Sequence, residues 1–328
     1  MHEATLHAGA EAGIAAFTRR LRRAGNASGA FTMLVGLCAV FALAAEGFGT
    51  ASNLVNIGVQ SSLLLLLALP MTLIILTEGL DLSMGAVLTL ANVVLATMAA
   101  RTGTLGVALL AAIAVSVAFG FLNGLLVAVV RIPPFVATLG TLGVAQGLAL
   151  AATDGQSVVG IPQTVQAVYA GSTIGVPTPL WIALVACALM HVLLHRTRFG
   201  ARVFALGGNR EALTLAGLPA RRYEIAVYAL AGLMVGVASL LLTARINSGH
   251  PTAALGMEFD AIAAVALGGT SFVHGKGGLA GTVVGVLAIG VLRNGLNLLG
   301  VPSAAQVSAI GALVIVALTI DALRRRMT

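Results

Sequence analysis

The chain has 328 residues, of which 59% are apolar and only 9% charged, with a mean hydropathy of +1.03. A soluble domain carries about 25% charged residues, so in water this chain could not cover its apolar surface; it is read as an integral membrane protein. The net charge of +7 would suggest nucleic acid in a soluble protein, but in a membrane protein it follows from the charge bias of the loops, and no nucleic-acid partner is expected.

Apolar runs such as 62–76 are unbroken rather than alternating, which selects helices over a strand barrel. The length allows roughly ten spans of about 20 residues each, plus loops. Residues 1–29 form a polar tail. In it Ile14, Phe17 and Leu21 fall at helical spacing opposite Arg19, Arg20, Arg22 and Arg23, so it is either an interfacial amphipathic helix or a frayed basic end. Ala42-Leu43-Ala44 imitates a signal-peptidase site, but the leader is long for a signal peptide. Spans are predicted at 30–45, 56–77, 82–100, 105–130, 135–152, 180–195, 225–244, 259–272, 279–299 and 304–323. The expected fold is therefore an all-α membrane domain over 30–323 with about ten transmembrane helices, closed by a short basic tail at 324–328.

With the N-terminus inside, fifteen basic residues fall on the cytoplasmic side; only Arg101 and Arg245 fall outside, and Arg293 lies within a span. That asymmetry sets the orientation and makes both termini cytoplasmic. Two segments, 153–179 and 246–258, are expected on the periplasmic side, and neither is large enough for a catalytic domain.

One loop, 196–224, carries six of the eighteen basic residues against two acids. Within it, 205–217 reads as a short helix with Asn209 as N-cap, Glu211 in the favoured first turn, and Gly217 and Pro219 as the stop signal. From residue types alone it is either a handle for another protein or a solvated connector. The polar residues of the spans carry the next signal, because polar groups in lipid normally face the bundle interior. Glu78, Asp81 and Ser83 interrupt two spans, and Asp81 or Ser83 can cap the third. Asn92, Asn123, Gln146, Asp260, Asn294, Asn297 and Gln306 either bond helix to helix or line a polar pathway. Pro133 and Pro134 break the chain sharply after Arg131. The span at 259–272 is short and contains Gly268 and Gly269, which suits a broken transporter helix. Asn-Gly-Leu occurs at 123–125 and again at 294–296, each preceded by an acid opening a span, Asp81 and Asp260; this hints at an internal repeat. Close helix packing is expected at Gly120/Gly124, Gly143/Gly147, Gly232/Gly236 and Gly277/Gly281/Gly285.

Catalytic signals are thin. Gly269 to Lys276 imitates a phosphate loop but has five residues between its glycines, and Gly277 stands where Ser or Thr would hold magnesium. No nucleotide site, cofactor or catalytic set is encoded. His191 and His195 are spaced i, i+4 at a helix end without a glutamate between them, so dipole-stabilised or snorkelling histidines are the default over a metal pair. Cys38 and Cys187 both fall in apolar runs and imply neither a disulfide nor a metal site.

Four stretches, EGLDLSMGAVLTLAN (78–92), NGLLVAVVRIPPFVATLGTLGVAQGL (123–148), ALGGNREALTLAGLPARR (205–222) and 251–301, resemble the permease subunits of ribose-type ATP-binding-cassette sugar importers. Together they cover most of the chain after residue 78, and IPPFVATLG and DAIAAVALGGTS are the most specific segments. The resemblance implies a transmembrane subunit in a bacterial inner membrane, with two permease copies, most simply a homodimer, on a cytosolic ATPase. A periplasmic or lipid-anchored binding protein would supply the sugar. It implies that 196–224 is the coupling loop, with Asn209, Arg210, Glu211, Ala212 and Gly217 engaging the ATPase. Glu78, Asp81, Ser83, Asn123, Asp260 and Asn294 are the expected pathway or gate residues; at Glu78 the family pattern usually has glycine. The competing expectation is an ion-coupled secondary carrier for a small polar solute, which would draw its coupling site from Glu78, Asp81 and Asp260.

Overall fold

The computed structural model describes residues 29–272 and 275–327. The basic leader and its interfacial-helix reading lie outside the described residues, as does His274. The described chain is helical almost throughout, because in an apolar solvent a helix satisfies every backbone donor and acceptor within its own segment.

In chain order the helices are α1 (Gly29–Ala44), α2 (Ala51–Leu76), α3 (Met84–Thr102), α4 (Leu105–Leu125), α5 (Pro134–Ala151), α6 (Gln163–Ala170), α7 (Thr178–Arg196), α8 (Arg198–Gly208), α9 (Arg210–Leu215), α10 (Ala220–Ile246), α11 (Met257–Leu267), α12 (Leu279–Leu298) and α13 (Ser303–Met327). A π-helical turn, Leu126–Val130, extends α4. Among the described residues, seven helices are long and apolar enough to cross a membrane: α2, α3, α4 with its π turn, α5, α7, α10 and α12. Of the three other predicted spans, two fall on short helices, α1 and α11, and the third on α13. α1 is apolar but has only 16 residues, α11 has 11, and the described apolar stretch of α13 is Ser303–Val316.

α2 is the central post. From Ser61 to Leu76 its residues are buried all round except at Leu65, and it packs on α7, α10, α11 and α12. A helix apolar on every side is a buried one. α10, which packs on this post, also makes the closest helix pair, with α4. A Cβ on Gly120 would sit 2.3 Å from the Tyr228 carbonyl oxygen, and one on Gly232 would sit 2.3 Å from that of Ser116. The expected glycine packing is therefore real at these two helices and at Gly281 and Gly285, which meet Gly268 and Ala264 of the α11 segment. It fails at Gly143 and Gly147, which have nothing within 4 Å and face outward on α5.

The predicted break after α4 is present. Arg131 takes a left-handed backbone (φ 66°), and Pro133 and Pro134 open α5. Segment 153–179 contains α6 and a small hairpin, β1 (Ser172–Thr173) with β2 (Val176–Pro177), where Thr173 faces Val176. Trp181 pins the start of α7 to it by donating to the Thr173 carbonyl at 3.1 Å.

Candidate functional site

The basic loop is an elbow built from two helices, not one. The single helix expected at 205–217 is broken at Asn209, whose backbone is extended (φ −163°) and whose Oδ1 accepts from the Ala212 N–H at 2.8 Å. Asn209 is thus the N-cap as expected, and for that reason it cannot also sit inside a helix. Thr197 starts α8 in the same way, accepting from the Gly200 N–H. Gly217 closes α9 with φ 76°, a conformation glycine adopts without strain.

Side chains sort the elbow into an anchored and a free face. Leu213 is buried with Leu206 and Ala220. Arg210, itself about half exposed, pairs with the buried Glu224: its Nη1 donates to Glu224 Oε1 at 3.0 Å, and its Nη2 lies 2.7 Å from Oε2. Arg202 donates to the Tyr223 hydroxyl and stacks on that ring. Glu211, Ala212 and Leu215 point out, Leu215 being 84% exposed. The exposure of Leu215, one turn after an exposed glutamate, was missed by hydropathy reading because Leu215 resembles any other core leucine.

The elbow bears directly on the central post. A Cβ on Gly207 would lie 1.7 Å from the carbonyl oxygen of Leu76, the last residue of α2, and Gly275 Cα closes the same contact. The end of α2 and α8 are therefore in direct backbone contact. The chain then leaves α2 as a non-helical passage, 77–83, with Glu78 in a left-handed conformation (φ 61°). Such strain is characteristic of functional segments. Glu78 lies at the lip of a cavity of about 880 Å³ between elbow and α5, with Arg131, Arg210, Arg221, Arg222 and Glu224 among its lining.

This passage ends in a buried polar cluster. Asp81 Oδ1 accepts from the Ser83 N–H at 2.9 Å and from the Ser83 hydroxyl at 2.6 Å. Asn123 Nδ2 donates to Ser83 Oγ at 2.8 Å, and its Oδ1 accepts from Thr141 at 2.7 Å. The Leu82 N–H donates to Thr138 Oγ1, and Tyr228 donates to the Leu80 carbonyl. Three expected residues, Asp81, Ser83 and Asn123, are thus brought together, closed by Thr138 and Thr141 of α5. Ser83 makes no side-chain cap bond; Asp81 fixes the start of α3 instead.

The other two expected residues form a second station. Asp260 Oδ2 accepts from Arg293 Nη2 at 2.7 Å, and the next residue, Asn294, exchanges amide hydrogen bonds with Asn53 of α2 at 2.9 Å each way. Before it lies another non-helical passage, 247–256, threaded along α3. Asn92 donates to Thr243 Oγ1 and the Ser248 carbonyl and accepts from the His250 N–H. Gln146 donates to the Pro251 carbonyl, and the Ala254 N–H donates to Thr89. Glu258 packs against Gly85, where a Cβ would fall 1.9 Å from its Oε2. Asn92 and Gln146 are therefore supports for irregular backbone, which in a membrane needs protein or water around it. Both stations share one order: long helix, broken passage, helix opened by an acid, helix bearing Asn-Gly-Leu.

A post, two broken passages and a protruding elbow are the parts of a transport machine, and comparison with known proteins agrees. Residues 53–318 match the family described as branched-chain amino acid transport system / permease component. The chain belongs to this permease family. The permease is 39% identical over 292 residues to the ribose import permease protein RbsC of Escherichia coli strain K12, covering 88% of this chain and 91% of that one. Identity to RbsC of Bacillus subtilis strain 168 is also 39%, over 295 residues, 89% and 92% of the two chains. It is 36% identical over 297 residues, 90% and 91%, to the D-allose transport system permease protein AlsC of E. coli K12. No solved structure matches the chain. The permease is a membrane-embedded transport subunit and not an enzyme.

Proposed function

We propose that this permease is the transmembrane subunit of an ATP-driven, binding-protein-dependent importer of a monosaccharide in a bacterial inner membrane. The observation that carries the reading is the elbow. α9 presents Glu211 and Leu215 outward while Gly207, on the same elbow, abuts the end of α2. A cytosolic ATPase gripping α9 would push the post and, through passage 77–83, the Asp81–Ser83–Asn123 cluster. Glu211, Ala212 and Leu215 would contact the ATPase; Asn209, Arg210 and Gly217 would shape the surface from behind.

Two copies would pair, with a periplasmic or lipid-anchored sugar-binding protein above them. The sugar class rests on relatives named for ribose, D-allose and L-arabinose, and on polar groups that are mainly amides and hydroxyls, suited to a neutral polyhydroxylated solute. Ten crossings with both termini cytoplasmic would follow if α1, α11 with its following loop, and α13 each traverse the membrane. The matching order around α2–α4 and α10–α12 then makes the two stations halves of an inverted repeat. Glu78, at the lip of the basic cavity, would act in the cytoplasmic gate.

Glu211→Arg tests the coupling. It should leave membrane insertion intact while lowering ATP-dependent uptake by at least about tenfold, equivalent to roughly 1.4 kcal/mol of lost coupling. Normal uptake in that variant would remove α9 from the ATPase contact.

A further inference from the structure

Arg293 is a charged side chain in an apolar helix, and the ion pair does not hide it. Its side chain remains 39% exposed, against 16% for Asp260. One turn on, Asn297 is exposed as well. A guanidinium facing hydrocarbon is strongly disfavoured, so its exposed part needs water or polar groups.

Snorkelling to the nearer membrane surface does not account for this. Arg293 lies five residues before Leu298, the end of α12. Helical side chains slope toward the N-terminus, so this one reaches away from that end, down to Asp260. Two residues before Asp260, Glu258 packs on Gly85 at the start of α3. Arg293 is therefore directed into the protein, onto Asp260, rather than toward the end of α12.

We infer that Arg293, held by Asp260, lines the water-filled solute path and gives its wall a local positive field that disfavours cations and offers N–H donors to hydroxyl groups. Positioning is the task of Asp260, and the solute-facing donor is Arg293. This rests on the reading of the chain as a permease with a polar path, but not on how transport is powered.

The test is thiol labelling of the assembled transporter in membranes, with Cys38 and Cys187 replaced by alanine. Asn297→Cys should react with both a sulfonate-bearing and a trimethylammonium-bearing methanethiosulfonate. Leu110→Cys, on an exposed apolar face of α4, should react with neither. Scaled to their rates with free cysteine, the anionic reagent should be favoured at position 297 by about threefold or more. Arg293→Gln should abolish or invert that preference, and the paired Asp260→Asn/Arg293→Gln variant, which leaves no unpaired charge, should bring it to unity. An unreactive Asn297→Cys, as a face covered by lipid or by a second copy would give, overturns the inference. So does a preference indifferent to Arg293. Because labelling needs no ATPase, a failure of the ATP-driven reading would leave this result standing.

Discussion

The two Asn-Gly-Leu stations solve one problem in opposite ways. At the first, Asp81 is buried and answered only by neutral donors, the Ser83 amide and hydroxyl, with Asn123 and Thr141 continuing the chain of bonds. At the second, Asp260 is partly exposed and answered by a full charge, Arg293. A sealed site can use oriented dipoles, because nothing else competes for the carboxylate. A wet one needs a partner that water does not displace, and a bidentate-capable guanidinium is such a partner. On the proposed reading, the difference makes the first station a joint, linked to the elbow through Leu76, and the second a wall of the path.

Three substitutions can break or sharpen that contrast, read as unfolding of purified permease in detergent. The largest effect is expected from Asn123→Leu, which removes one partner each from Ser83 and Thr141 in a buried network, leaving them only their bonds to Asp81 and to the Thr138 carbonyl, and should cost about 2 kcal/mol. Asn294→Leu removes a reciprocal amide pair but leaves only Asn53 behind; since membrane hydrogen bonds average well under the sealed-network value, about 1 kcal/mol is expected. Asn297→Leu, on the exposed face, should change stability by less than about 0.5 kcal/mol. If Asn294→Leu proved as damaging as Asn123→Leu, both stations would be joints. If Asn123→Leu were harmless, neither would be.

The sequence displays the membrane, the helices, the short α11 and the elbow openly, because unbroken apolar runs, glycine and proline punctuation and clustered arginines are local signals. What it conceals depends on contact between distant segments. Asn209 was legible as a cap, but the contact of Gly207 with Leu76, 131 residues earlier in the chain, was not. Arg210 looks like a docking charge until Glu224 is found beside it. Asn92 and Gln146 look like bonds between helices, because nothing local announces that 247–256 runs unwound along α3. Arg293 had one usable signal: it is the lone base within a span, and Asp260 is an acid opening the span before it.

The central claim, that an external motor drives this permease through its elbow, is tested most directly by solute uptake into sealed vesicles holding the permease and its binding protein, with the partner ATPase and ATP supplied or withheld. Uptake that requires both, and that ignores a collapsed proton or sodium gradient, is the result expected. Uptake powered by an ion gradient without the ATPase would contradict the account and favour a self-sufficient carrier.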